Sequence, residues 1–150
     1  MKSKIQSNSF SILLIVVILI RVGVFLTIQP QIAKDTGGYT NLANHILRLN
    51  FSDYSGARTP GYPLIIALAD MNFKIVMIFQ LLMGIIISIS LYKIILILTK
   101  SKLLSLFSGL SYSLYLPQLY RETVILTETT ATFFIVLSFL FLLYLMKSQD

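Results

Sequence analysis

Cysteine is absent from these 150 residues, histidine occurs once, and acidic residues number only six. The first absence removes disulfides, thiolate nucleophiles and cysteine-ligated zinc or iron–sulfur centres. The lone histidine, His45, has no second imidazole or thiolate at ligand spacing, so a solvated or interfacial histidine is favoured over a metal ligand. Charge of either sign is scarce: 12% of residues are charged, where a soluble domain carries about 25%. What fills the chain is apolar. Hydrophobic residues make up 56% and mean hydropathy is +0.83, more than a soluble core of this length needs. The net charge of +6 comes from basic residues scattered singly beside apolar runs. That pattern fits membrane anchoring and argues against nucleic-acid binding.

Four runs read as membrane spans, giving an all-α, polytopic transmembrane helix bundle within one membrane domain. Residues 10–28 are almost uninterruptedly apolar and long enough to cross a ~30 Å hydrocarbon core as a helix. The basic start Met1-Lys-Ser-Lys4 resembles a signal peptide, but the run is long, contains Arg21 and lacks a small-x-small cleavage site. An uncleaved span follows. Residues 73–98 form the second expected span and 103–116 a shorter third, with Ser105, Ser108 and Gly109 permitting close helix approach. The fourth is 124–146, with Glu128 about one turn inside. A carboxylate there costs about 2.5–3.5 kcal/mol at a span centre, so it should face protein, a wet cavity or the interface. Residues 60–69 are too few to cross and read as an interfacial or re-entrant piece. Lys2, Lys4 and the tight Lys100/Lys102 loop place both termini in the cytoplasm, with the 29–59 loop outside a bacterial plasma membrane.

That loop is the polar island of the chain. Asp35 or Thr36 caps an expected helix to about Asn50, with Tyr39, Leu42, Ala43, Ile46, Leu47 and Leu49 on its apolar side. Asn41, Asn44, His45 and Arg48 lie opposite, the pattern of an amphipathic interfacial helix. Asn50-Phe-Ser52 fits a glycosylation sequon, which matters only in a eukaryotic secretory compartment. In Arg58-Thr-Pro-Gly-Tyr-Pro63, Thr59 is the expected N-cap with Pro60 at the first helical position. Free N–H groups beside Arg58 make either an anion cradle or simply a turn among lipid headgroups. Asp35 near the membrane surface is a candidate general base or divalent-metal ligand, with plain N-capping as the alternative. Arg121, Ile125 and Glu128 would share one face if the last helix begins early enough.

Asp35 and Tyr39, the segment Leu42-Ala43-Asn44, the turn Arg58-Thr-Pro-Gly-Tyr-Pro63 and Leu126-Thr-Glu128 occur in the order, and in the membrane context, found in GT-C glycosyltransferases. The chain resembles the N-terminal portion of that family's branch containing protein O-mannosyltransferases and lipid A aminoarabinose transferases. The resemblance implies an integral membrane enzyme that transfers a sugar from a polyprenyl-phosphate donor to an extracytoplasmic acceptor. Asp35 would be catalytic, with Arg58 and Arg121 neutralising the lipid phosphate and Tyr39, Tyr62 and Glu128 completing substrate binding. Many members carry two adjacent acidic residues where this chain has Asp35-Thr36-Gly37, so any divalent metal would rest on Asp35 alone. Members also have about twice as many spans, which makes this chain the expected counterpart of an N-terminal part. Two other classes compete. One is a non-enzymatic membrane subunit or assembly factor with a partner-binding loop. The other is a transporter fragment, which the lack of paired Gly/Pro-broken helices disfavours.

Overall fold

The computed structural model describes residues 2–148; Met1, which opens the basic stretch, lies outside the described residues. The chain is all-α. Among the described residues seven helices follow one another: α1 (Lys2–Thr27), α2 (Thr36–Arg48), α3 (Gly61–Leu68), α4 (Phe73–Thr99), α5 (Lys102–Leu114), α6 (Leu116–Arg121) and α7 (Glu128–Lys147). Three stretches, Asn8–Thr27, Phe73–Thr99 and Glu128–Lys147, are long and apolar enough to cross a membrane. The protein is therefore integral to a membrane.

Polar caps set the helix limits. Asn72 precedes α4 in an extended conformation, and its side-chain oxygen accepts from the N–H groups of Lys74 and Ile75. At the far end Lys100 turns left-handed (φ 55°), and Ser101 caps α5 by accepting from Leu104 N–H. So short a connection forces α4 and α5 to lie side by side. Helix α1 packs on both, and α7 packs on the other flank of α4. The Ser9 and Tyr92 hydroxyls meet at 2.8 Å near the start of α1, and Phe25 sits beside Ile78 near its end, which fixes α1 antiparallel to α4. Gly109 is a close crossing. A Cβ there would stand 2.9 Å from the Ser88 carbonyl oxygen and 2.7 Å from a Leu13 methyl.

Two apolar clusters result. Leu13, Val17, Tyr92 and Leu106 join α1, α4 and α5, while Tyr39, Ala43, Tyr62, Ile66, Ala67, Val76 and Ile125 join α2 and α3 to the α4 end and to the segment before α7. The second cluster carries the polar island.

Several expectations need correction. The third expected span, 103–116, is the 13-residue helix α5, about 20 Å long and too short to cross alone. Pro117 has no N–H to bond the Ser113 carbonyl, so the chain leaves the helix at Tyr115 (ψ 98°) and restarts as α6. The fourth span begins at Glu128 rather than Val124. Gln31 N–H donates to the Thr123 carbonyl at 2.8 Å and Ile125 N–H donates to the Gln31 carbonyl at 2.9 Å, an isolated parallel bridge between Gln31 and Val124 that keeps this segment out of the helix. Arg121 and Glu128 therefore end and begin different helices and share no helical face. Thr59 is not the N-cap of α3; Pro60 occupies that position, with no side-chain cap.

Candidate functional site

The polar island folds so that its chemically capable residues meet. Asp35 stands at the N-cap of α2 but makes no capping bond; its carboxylate accepts from Arg58 Nη2 at 2.9 Å. Thr36 supplies the tie that Asp35 does not. Its hydroxyl accepts from Ala33 N–H at 3.0 Å and donates to the Ile125 carbonyl at 3.0 Å, locking the start of α2 to the segment before α7. Arg58 reaches Asp35 across Gly38, where a Cβ would come within 2.9 Å of its Nε, so the glycine leaves room for the guanidinium. The cation lies over the Tyr39 ring, 4.7 Å from its centre. Arg58 is held at its root as well, because the Tyr54 hydroxyl accepts from its N–H at 2.6 Å.

Tyr39 stands edge-on to Tyr62 with ring centres 5.3 Å apart. Tyr62 is buried and donates to Gln80 Oε1 at 2.8 Å. Burial pushes the Tyr62 phenol well above its ordinary range, and the Glu128 carboxylate and Tyr39 push in the same direction. It is a standing donor, not an acid. Gln80 turns its amide the other way and donates to the Val124 carbonyl at 2.8 Å, with longer contacts to the carbonyls of Glu122 and Arg121. One α4 residue thus fixes both the α3 tyrosine and the segment leading to α7.

Arg121 and Glu128 are both exposed and line one cleft of about 410 Å³ with Ile32, Ala33, Tyr120 and Leu126. Ala33 is two residues from Asp35, and Glu128 acts electrostatically on Tyr62. The six expected site residues, Asp35, Tyr39, Arg58, Tyr62, Arg121 and Glu128, therefore gather at one end of the bundle in two adjoining groups. Asp35 has no second carboxylate beside it as a metal ligand: among the described residues no three of His, Asp and Glu gather as a metal site. His45 binds the Asn50 carbonyl through Nδ1 at 2.7 Å and stacks on Phe51.

What the arrangement offers chemically is a solvent-reached carboxylate beside a cation that can exchange partners. The Asp35 side chain is 63% exposed and that of Arg58 is 32% exposed, so an incoming phosphate can compete for the guanidinium. Such a pair is held loosely, at about 0–1 kcal/mol.

Sequence reasoning missed the buried ion pair of the bundle. Arg21, inside α1, pairs with Glu122 at 2.9 Å, and the two side chains are 2% and 0% exposed. Arg21 also donates to the Ser113 hydroxyl at 3.0 Å, which meets Ser88 Oγ at 2.6 Å. A lone arginine in an apolar run calls for a buried counter-charge, and that signal was in the sequence. Glu122 gave none of its own, lying next to Arg121 in what reads as a solvated turn.

No family model, curated protein or solved structure matches the chain. The chemistry of the site has to be argued from its own residues.

Proposed function

We propose that this protein is a membrane glycosyltransferase, or the N-terminal part of one, working on a polyprenyl-phosphate sugar at the extracytoplasmic face of a bacterial plasma membrane. The observation that carries the reading is the Asp35–Arg58 pair, set beside Tyr39 at the end of an apolar bundle. Motif order is its second support.

In this reading the donor phosphate takes Arg58 from Asp35, which frees the carboxylate. Asp35 then accepts the proton of the acceptor hydroxyl as its oxygen bonds to the sugar's anomeric carbon. The bond from that carbon to the phosphate oxygen breaks, and the electron pair leaves with polyprenyl phosphate. Arg58 and Arg121 offset the charge that gathers on the leaving phosphate. Tyr62, anchored by Gln80, holds the Tyr39 ring under the guanidinium. Cytoplasmic termini would put this end of the bundle on the face where lipid-linked sugars are presented. A divalent metal would find only Asp35 here, so the proposal gives it no step.

The test is donor turnover in phospholipid vesicles. Reconstituted protein is supplied with a panel of polyprenyl-phosphate hexoses and pentoses together with a bacterial envelope extract as the source of acceptor, and released polyprenyl phosphate is measured by mass spectrometry. Turnover that disappears in Asp35→Asn, with normal membrane insertion, is the expected result. Turnover of no donor, or equal turnover by the inserted variant, would overturn the reading. The competing reading, a non-enzymatic subunit, draws on the exposed Leu49 and Phe51 beyond α2. It predicts a co-purifying protein whose capture survives Asp35 and Arg58 substitution together.

A further inference from the structure

Two opposite charges stand in the 410 Å³ cleft, and neither has an ion-pair partner among the described residues. Among the described residues the ion pairs are Arg21–Glu122 and Arg58–Asp35. Arg121 and Glu128 belong to neither, although both line the cleft. Their positions are fixed from behind. The neighbouring Glu122 turns inward to Arg21, and Gln80 grips the carbonyls of 121, 122 and 124. The side chain of Arg121 is left exposed. A guanidinium matches a phosphate, and a carboxylate matches a protonated amine. The volume lies in the range of small-molecule pockets.

Further along α7, on the face that carries Glu128, the surface is apolar. Glu128, Ile135, Phe139 and Leu142 follow one another at spacings of seven, four and three residues, which places them on one face of α7. Ile135, Phe139 and Leu142, with Phe134 and Ser138, line a groove of about 460 Å³ on that face. Ile135 lies about 10 Å along the axis from Glu128. A charged head position thus stands above a groove that runs down a membrane-spanning helix. A free metabolite would use only the upper part; an amphiphile would use both.

We propose that this face of α7 binds a membrane phospholipid whose headgroup carries both a phosphate and a primary ammonium. The phosphate sits on Arg121, the ammonium donates to Glu128, and one acyl chain lies along Ile135, Phe139 and Leu142. A primary ammonium fits better than a quaternary one, because it has N–H groups for the carboxylate to accept. A headgroup with phosphate but no cation leaves Glu128 facing a second anion. The site shares Arg121 and Glu128 with the transfer reading but rests on the cleft and the α7 face alone.

The experiment uses the protein reconstituted in vesicles of equal phosphatidylethanolamine, phosphatidylglycerol and phosphatidylcholine. After extraction and detergent washing, retained lipid is counted by mass spectrometry. Phosphatidylethanolamine should be enriched several-fold over the other two. Glu128→Gln should bring the ratio over phosphatidylglycerol to about one, Glu128→Asp should restore part of it, and Arg121→Gln should release both lipids. Millimolar free phosphoethanolamine should not displace the lipid. Equal retention in the unsubstituted protein, enrichment surviving Glu128→Gln, or displacement by free phosphoethanolamine would each overturn the proposal. Asp35→Asn should retain the lipid in full, which separates failure of this site from failure of the transfer reading.

Discussion

The buried Arg21–Glu122 pair makes the sharpest energetic prediction, because removing one partner and removing both should have opposite outcomes. At 2.9 Å the direct attraction is about 6 kcal/mol at an effective dielectric of about 20. Desolvating each ion costs several kcal/mol, so the pair as a whole contributes little net stability. Two atoms sharpen the account: Arg21 Nε and Glu122 Oε2 are buried with no hydrogen-bond partner, so the site is not fully satisfied even when intact. Arg21→Met strands an unpaired carboxylate beside Gly84 and should cost about 3–5 kcal/mol; Glu122→Leu should cost a similar amount by stranding the guanidinium. The double substitution should return to within about 1 kcal/mol of the original protein, or exceed it. Reversible unfolding by dodecyl sulfate in mixed bicelles, followed by circular dichroism, reads all four proteins. Single variants within about 1 kcal/mol of the original would refute the buried pair. A double variant as damaged as the sum of the singles would refute the coupling.

Two further outcomes follow from particular contacts. Gly84→Ala should destabilise by about 1–3 kcal/mol in the same assay, because a Cβ there would overlap the Glu122 carboxylate; in a Glu122→Ala background, where that carboxylate is gone, the same substitution should cost much less. Tyr62→Phe should cost about 1–3 kcal/mol by leaving Gln80 Oε1 without its donor. The same residue sets an alkaline limit. Its phenol is raised above the unfolded value of about 10, so the stability tied to the neutral phenol is complete below that pH and falls as pH rises beyond it. Unfolding titrations from pH 9 to 12 should show this fall, and it should be weaker in Tyr62→Phe.

The parts legible in the sequence are those governed by local composition. The second span, the amphipathic helix after Asp35 and the short helix after Arg58 follow from runs and periodicity, with ends within a few residues of expectation, whereas α1 begins eight residues before the expected start of the first span. The misses have non-local causes. Residues 124–127 read as the start of a span because they are apolar, yet they stay outside the helix, and Gln31, more than 90 residues earlier, bonds to the backbone on both sides of Val124. Gln80 reads as a stray polar residue in an apolar helix. It is the residue that ties α3 to the segment before α7. Glu122 is the most instructive case, since charge, neighbours and turn-like setting all suggested solvent. Its side chain turns inward because Arg21 needs a counter-ion in an apolar bundle, a demand visible only once α1 is laid beside the segment after α6. The consequence reaches the candidate site. With Glu122 drawn inward, the adjacent Arg121 has no ion-pair partner among the described residues and is exposed at the cleft it shares with Glu128. The membrane-buried pair and the surface cleft are two sides of one turn of chain, so a substitution that frees Glu122 should also disturb what Arg121 can bind.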